Sequence, residues 1–345
     1  MIKILCKSKK KILYLCNAIF YITIFIFMRR NFLTLFLLLF FVSPVFINAQ
    51  TAEEFYKQGV DALKSSNYST AITAFNNAIS ANFLYAEAYN KLGMAYFYVG
   101  DNFSALENYN KAIRINPQFA EAHNNMGMSY FAQGQYQKAV DSYNQAIKIN
   151  PSYSEAYLNR ANAYGRQNMH SLAVESFKQA IKYDASNAYA YNQLGMAYFF
   201  LKNYEASIAT LANAVRLNPK DADAYITMGN CYYYLTEYEK AVPVYEKAAE
   251  LKKNDISLFS NLANSYKKIG EYQKAIDTYM IVVKIDYRNG NALLNLGTCY
   301  EMLGDDKKAL TWYERAKNNS YDTLNEAQKK MLDSSVAALK KDVKK

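Results

Sequence analysis

The sequence predicts an all-α protein made of eight repeated helix-turn-helix hairpins. A period of 34 residues runs from Ala52 to Thr323 without an insertion, and a fixed period of this size is typical of solenoids. Within each repeat the apolar residues recur with helical spacing, so each repeat contains two amphipathic helices. The 345 residues include only 12 Gly and 5 Pro, which favours helices joined by short connections.

Four positions of the repeat predict its core. With Ala52 as position 1, position 8 is Gly or Ala, position 20 is Ala or Ser, and position 27 is Ala or Val throughout. Position 24 is large in every repeat: Phe75, Tyr109, Tyr143, Phe177, Leu211, Tyr245, Tyr279 and Tyr313. Small residues let two helix backbones approach closely, and large side chains fill the remaining gaps.

Turn residues separate the predicted helices. Gly100-Asp101 and Gly304-Asp305 indicate turns within hairpins, and Asn116-Pro117 indicates the connection between two hairpins.

One residue conflicts with the helical pattern. Pro243 lies inside the second helix of the sixth repeat, where its missing N–H and its ring favour a kink or a break. We expect a local bend there.

The last residues, 324–345, depart from the period. Met331, Val336 and Leu339 fall on one side of a predicted helix and lysines on the other. A solenoid needs a terminal element with a polar outer face, so this segment predicts a capping helix.

Together these residues resemble the tetratricopeptide repeat (TPR) family, over residues 52–323. The resemblance implies a right-handed superhelical solenoid whose first helices line a concave groove. It also implies that positions 2, 5, 6, 9, 12 and 13 of each first helix face that groove, and that the groove binds a protein or peptide partner.

Two groups of residues occupy those groove positions. Apolar residues suited to bury a partner's side chains are Met94, Phe97, Tyr98, Met128, Phe131, Met196, Phe199, Phe200, Tyr233 and Tyr234. The second group has amide side chains and consists of Asn125, Asn159, Asn162, Gln193, Asn230, Asn261, Asn264 and Asn295. An amide both donates and accepts, so this row predicts pairing with the backbone of an extended peptide. It resembles the asparagine ladder of O-linked N-acetylglucosamine transferases. The alternatives are that neighbouring repeats or a second copy cover the rings, and that the amides are simply solvated.

The carboxylate clamp of co-chaperone TPR domains is absent. That clamp has Lys at position 5 and Asn at position 9 of one repeat. Where Asn fills position 9 here, position 5 is Leu158, Ile226 or Ser260. Binding of heat-shock protein C-termini is therefore not expected.

Residues for catalysis are scarce. His123 and His170 stand at positions that are aromatic in most other repeats, and Cys231 and Cys299 stand at a position of small residues. All four are interpreted as packing residues. No catalytic, metal-binding or phosphate-binding motif is present, so we expect no enzyme, no metal and no cofactor.

The net charge of +10 is unevenly distributed. Residues 1–49 carry +7, residues 50–323 are neutral, and residues 324–345 carry +3. A neutral repeat region gives no support for a nucleic-acid partner.

The basic N-terminal segment points to targeting. Met28-Arg29-Arg30, an apolar run and the ending Asn48-Ala49 are typical of a signal peptide that starts at Met28 and is cleaved near Ala49. The ending resembles those of exported proteins of Gram-negative bacteria, which predicts a periplasmic or envelope location. The alternative is that Met1 is the true start and the apolar stretches 12–28 and 32–49 stay as membrane anchors.

The sequence thus predicts a non-catalytic scaffold or assembly factor of the bacterial envelope that binds peptide or protein partners. One alternative is a structural repeat protein that self-associates, forming a homo-oligomer. Another is a carbohydrate-binding envelope protein whose groove aromatics stack on sugars.

Overall fold

A computed structural model describes residues 51–342, and their contacts divide the chain into two compact units between Gln133 and Gly134. The predicted leader, residues 1–49, lies outside the described residues, as do residues 343–345. The boundary between the units falls in the turn of the third repeat. None of the helices within residues 51–342 combines the length and the apolarity needed to cross a bilayer.

All regular elements of the described residues are helices. The first helices of the repeats are α1 (51–64), α3 (Ala86–Tyr98), α5 (Ala120–Ala132), α7 (Ser154–Arg166), α9 (Ala188–Phe200), α11 (Ala222–Tyr234), α13 (Ile256–Lys268) and α15 (Gly290–Met302). The second helices are α2 (Tyr68–Ala81), α4 (Asn102–Ile115), α6 (Tyr136–Ile149), α8 (His170–Tyr183), α10 (Tyr204–Leu217), α12 (Tyr238–Leu251), α14 (Tyr272–Ile285) and α16 (Asp306–Ser320). A 3₁₀ turn (Tyr321–Thr323) and α17 (Glu326–Asp342) follow. The predicted all-α, helix-turn-helix class is confirmed.

The small and large positions fit together as predicted. All position-24 side chains are at most 3% exposed. An ideal Cβ built on Gly229 would lie 2.6 Å from the Tyr245 ring, well inside van der Waals contact. Position 8 of α11 therefore has to be small because the ring of the second helix occupies the space beside it. Ala161 and Ala263 take this place in the repeats that lack the glycine, and both are fully buried.

Each hairpin turns on a residue with left-handed backbone. Among residues 51–342 the residues with positive φ are those at position 15: Ser66, Gly100, Gly134, Asn168, Lys202, Thr236, Gly270 and Gly304. The following residue is the N-cap of the second helix, and in several repeats its side chain accepts a hydrogen bond from a backbone amide of the first turn. Asp101 Oδ1 accepts from the Ser104 amide at 3.0 Å, and Asp305 Oδ1 from the Lys308 amide at 3.1 Å. Such caps satisfy amide groups that have no partner inside the helix.

Helix α12 runs through Pro243 without interruption. It extends from Tyr238 to Leu251 and has 14 residues, the same number as α10 and α14. Pro243 is exposed, and so is Glu239, whose carbonyl loses its helical partner. That carbonyl therefore lies on the solvent side of the hairpin. The helix is therefore not broken at Pro243, and the expected local bend stays a prediction.

The C-terminal cap is a helix, but its buried face differs from the predicted one. Leu332, Val336 and Leu339 are at most 6% exposed, whereas Met331 is 41% exposed. The placement of Met331 on the buried side is therefore wrong by one residue. Spacings of four and three along 332, 336 and 339 make a better helical stripe than the predicted set does. With Leu324, these residues extend the core of the last repeats.

Candidate functional site

The first helices of unit 2 form one continuous surface. Helix α7 contacts α9, α9 contacts α11, and α11 contacts α13. Lys267 on α13 donates to Asn295 on α15. We call the surface made by positions 2, 5, 6, 9, 12 and 13 of α7, α9, α11, α13 and α15 the first-helix wall. Unit 1 has the same kind of link between α3 and α5, where Asn125 Nδ2 donates to Asn90 Oδ1 at 3.0 Å.

The predicted apolar residues of unit 2 lie together on this wall. The Phe199 ring centroid lies 5.9 Å from that of Phe200 and 5.8 Å from that of Tyr234. Tyr233 meets Tyr234 edge to face at 6.3 Å. Met196 is half-buried one helical turn before Phe199. We call Met196, Phe199, Phe200, Tyr233 and Tyr234 the aromatic patch.

The apolar residues of unit 1 form a smaller group. Phe97 contacts Tyr98 edge to face, with ring centroids 5.8 Å apart. Met94 is half-buried on the same helix, and Met128 and Phe131 are half-buried on α5. Because the first-helix wall is defined by helices of unit 2, these residues are not part of it.

Position-13 rings stack on position-17 rings of the preceding repeat. The stacked pairs are Tyr68 with Tyr98 at 5.3 Å, His170 with Phe200 at 4.8 Å, and Tyr204 with Tyr234 at 5.4 Å. The interpretation of His170 as a packing residue is confirmed. Packing between repeats therefore uses position 13, in line with the alternative that neighbouring repeats cover these rings in part. One face of each ring is used in the stack, yet Phe200 remains 56% and Tyr234 60% exposed.

The amides of α11, α13 and α15 use their oxygens inside the protein. Asn230 Oδ1 accepts from the Tyr245 hydroxyl at 2.6 Å and from Asn261 Nδ2 at 3.0 Å. Asn264 Oδ1 accepts from the Tyr279 hydroxyl at 2.6 Å. Burial raises the pKa of Tyr245 and of Tyr279 above the usual range, so both hydroxyls remain protonated donors.

This arrangement changes what the amide row offers a ligand. The sequence predicts that each amide both donates and accepts, and in the structure the oxygens of Asn230 and Asn264 already accept from core hydroxyls. Their Nδ2 groups are the part left for a partner. The pairing of Asn at position 9 with Tyr at position 24 is visible in the sequence, as Asn230 with Tyr245 and Asn264 with Tyr279, and is the signal that indicates it.

The remaining predicted amides differ from one another in burial and in hydrogen-bond partners. Asn125 is 7% exposed and bonded within unit 1. Gln193 Nε2 donates to the Met196 sulfur at 3.7 Å. Asn159 and Asn162 are half-buried on α7.

Lys267 is a wall residue that the sequence reasoning missed. It stands at position 12, where the predicted residues Phe97, Phe131, Phe199 and Tyr233 are aromatic. Its ammonium donates to Asn295 Oδ1 at 2.5 Å. Desolvation by burial, with a smaller effect of the Lys268 charge, lowers the pKa of Lys267 below its usual value. We call Asn230, Asn264, Lys267 and Asn295 the donor patch.

The described residues offer little for chemistry. Cys231 and Cys299 are buried free thiols, which confirms their interpretation as packing residues. Burial raises the pKa of both thiols, that of Cys299 to about 11, and this disfavours the reactive thiolate. His123 is half-buried, and burial lowers the pKa of its imidazole. Within residues 51–342 no group of three His, Cys, Asp or Glu side chains is placed to hold a metal ion.

Comparison with protein families identifies the class. Family profiles described as TPR repeat match residues 95–134 and 127–168. Profiles described as tetratricopeptide repeat match residues 56–98, 154–187, 186–254 and 255–320. These matches follow one another without a gap from 56 to 320, so the chain belongs to the tetratricopeptide repeat family. Proteins of this class are in general non-catalytic scaffolds for protein interactions.

Solved structures share the fold at low identity. The C-terminal part of a TPR repeat-containing protein from Cytophaga hutchinsonii has a TM-score of 0.60 and 19% identity, over 70% of this chain and 99% of that one. YrrB, described as a TPR protein with an unusual peptide-binding site, has a TM-score of 0.51 and 22% identity, over 55% and 97%. PilF of Pseudomonas aeruginosa has a TM-score of 0.50 and 21% identity, over 62% and 96%. A comparison with curated proteins finds no match.

Stacking of the aromatic patch on the preceding repeat predicts an energetic coupling between Tyr204 and Tyr234. Although Tyr234 is largely exposed, we expect Tyr234→Ala to destabilise unit 2, because its ring lies parallel to Tyr204 within 8°. A double-mutant cycle with Tyr204→Ala, measured by denaturant unfolding, should give a coupling of about 0.5–1.5 kcal/mol. Additive effects of the two substitutions would contradict the stacked geometry.

Proposed function

We propose that the first-helix wall of unit 2 binds an extended peptide segment of a partner protein, and that the chain acts as a scaffold or assembly factor without catalysis. The observation that carries this is the aromatic patch beside the donor patch. Tyr233 and Lys267 occupy the same position on α11 and α13, which are in contact. An apolar surface with a few oriented polar groups is typical of ligand sites.

The aromatic patch is suited to binding because its rings are already held in place. Phe200 stacks on His170 and Tyr234 on Tyr204, so little side-chain freedom is lost when a partner covers their exposed faces. Tyrosine and phenylalanine also give large contact areas at low entropic cost. Peptide binding is described for YrrB, whose fold this chain shares, but the support for the proposal comes from this chain's own residues.

Peptide selection tests the proposal. A displayed library of random linear peptides is panned against the protein, and enriched peptides are measured for binding to wild type and to the double variant Phe199→Ala/Tyr233→Ala. We expect enriched peptides to lose about 10-fold or more in affinity, since each substitution removes apolar contact area. The matched control is Tyr287→Ala, which removes a ring that is 62% exposed in the loop between α14 and α15.

Two outcomes would contradict the proposal. Failure of wild type to enrich any peptide would remove the evidence for a peptide site. A fall in mass by light scattering on Phe199→Ala/Tyr233→Ala, without an effect on peptides, would show that the aromatic patch is an interface between copies of the chain. The Tyr287→Ala control should change neither measurement.

We also propose that the protein is exported to the bacterial periplasm or envelope. The support is the Met28-Arg29-Arg30 start, the apolar run and the ending at Ala49. The intact mass of protein purified from the native cell tests this, and a chain beginning at Gln50 is expected. A chain that begins at Met1 or Met28 would contradict cleavage and favour a membrane anchor.

A further inference from the structure

The donor patch presents amide and ammonium donors, and each of its amide oxygens already accepts a hydrogen bond inside the protein. The oxygens of Asn230, Asn264 and Asn295 accept from Tyr245, Tyr279 and Lys267 respectively. Within the described residues these three amides therefore keep their Nδ2 donors for a ligand. Beside them lies a half-buried ammonium group, which can only donate. A surface of this kind fits a ligand that brings acceptors.

Lys267 has no carboxylate partner within residues 51–342. Its hydrogen bond goes to a neutral amide, and the carboxylate at position 12 of α15, Glu301, instead accepts from the Tyr313 hydroxyl at 2.5 Å. A half-buried charge without an opposite charge is unfavourable, and burial accordingly lowers the pKa of Lys267. An anionic ligand would supply the missing charge.

A second half-buried lysine shows the contrasting arrangement. Lys91 lies at position 6 of α3 in unit 1, and its Nζ is 2.8 Å from Glu121 Oε1. Asn90 Nδ2 also donates to Glu121 Oε1, at 3.1 Å. Here the protein supplies its own carboxylate to an ammonium and an amide donor. Lys267 and its neighbouring amides have the same donor groups, but within residues 51–342 no carboxylate is paired with Lys267.

We propose that the donor patch binds a carboxylate of the peptide partner, so that the protein selects acidic peptides. This inference rests on the proposed peptide-binding function and names its ligand chemistry. A carboxylate accepts several hydrogen bonds and carries a single negative charge, which matches one half-buried ammonium and the neighbouring Nδ2 groups. The lysine lies at position 12, so the arrangement differs from the co-chaperone clamp, which has lysine at position 5. An Asp or Glu side chain and a C-terminal carboxylate share this chemistry.

Peptides enriched in the selection above distinguish these two sources. Each is synthesised in three forms: unchanged, with Asp and Glu replaced by Asn and Gln, and with an amidated C-terminus. Dissociation constants are measured by fluorescence anisotropy. For wild type we expect one of the two changes to weaken binding about 10- to 100-fold, the range for a lost hydrogen bond between charged groups. A fourth form carries phosphoserine in place of Asp and Glu. Tighter binding of this form than of the unchanged peptide would overturn the assignment to a carboxylate.

Variants locate the effect. Lys267→Gln should weaken the unchanged peptide by a similar factor and make the three forms bind alike, whereas Lys267→Arg should retain the preference. The matched control is Lys91→Gln, whose ammonium is already paired in unit 1 and which should leave the preference intact. Binding that is indifferent to both carboxylate changes, or a preference that survives in Lys267→Gln, would overturn the inference and leave the proposed peptide binding in place.

A separate measurement covers the case in which no peptide is enriched. N-acetyl-aspartate is titrated into protein with isotope-labelled lysine, and side-chain NMR signals are followed. A saturable shift of the Lys267 signal, with no shift for N-acetyl-asparagine, supports the carboxylate site although the proposed function has failed. The absence of a shift would overturn the inference as well.

Discussion

The close approach of two helices at a small residue sets the geometry of each hairpin. Where position 8 is glycine, as at Gly229, the backbone of the first helix lies against the ring of the second, and an added Cβ atom would require that ring to shift. The ring is thereby fixed in the core, as the complete burial of Tyr245 shows. Close packing of this kind transmits even small changes in volume to the neighbouring residues.

The same ring connects the core with the first-helix wall. The Tyr245 hydroxyl reaches through the hairpin to Asn230, and Tyr279 reaches Asn264 in the next repeat. Because a buried phenol remains protonated, it donates to the amide oxygen and leaves the amide nitrogen as the group that can donate to a ligand. The polarity of the donor patch thus follows from residues in the core, and the unpaired charge of Lys267 adds to it. Stacking on the preceding repeat orients the aromatic patch in a comparable way.

Most of the fold can be predicted from the sequence, because the same pattern of small and large residues recurs in eight repeats. The helices and the buried ring at position 24 follow from periodicity within a repeat, and the terminal cap follows from the need of a solenoid for a polar end. Contacts between repeats are harder to predict, since a pattern within one repeat does not show which positions of two neighbours meet. This is why the stacking of Tyr234 on Tyr204 and the position of Lys267 were missed. Met331 was misplaced because a cap lies outside the period and has a single copy from which to judge its register.

The measurement that tests this account most directly compares two glycine-to-alanine substitutions on first helices of unit 2. At Gly229 the added methyl group would meet the Tyr245 ring, whereas at Gly165 nothing lies within 4 Å. Alanine is the better helix former, so Gly165→Ala should raise the free energy of unfolding by about 1 kcal/mol. Gly229→Ala should lower it by about 1–3 kcal/mol, because the ring has to move. A Gly229→Ala protein as stable as wild type would contradict the dependence of the hairpin on this close approach.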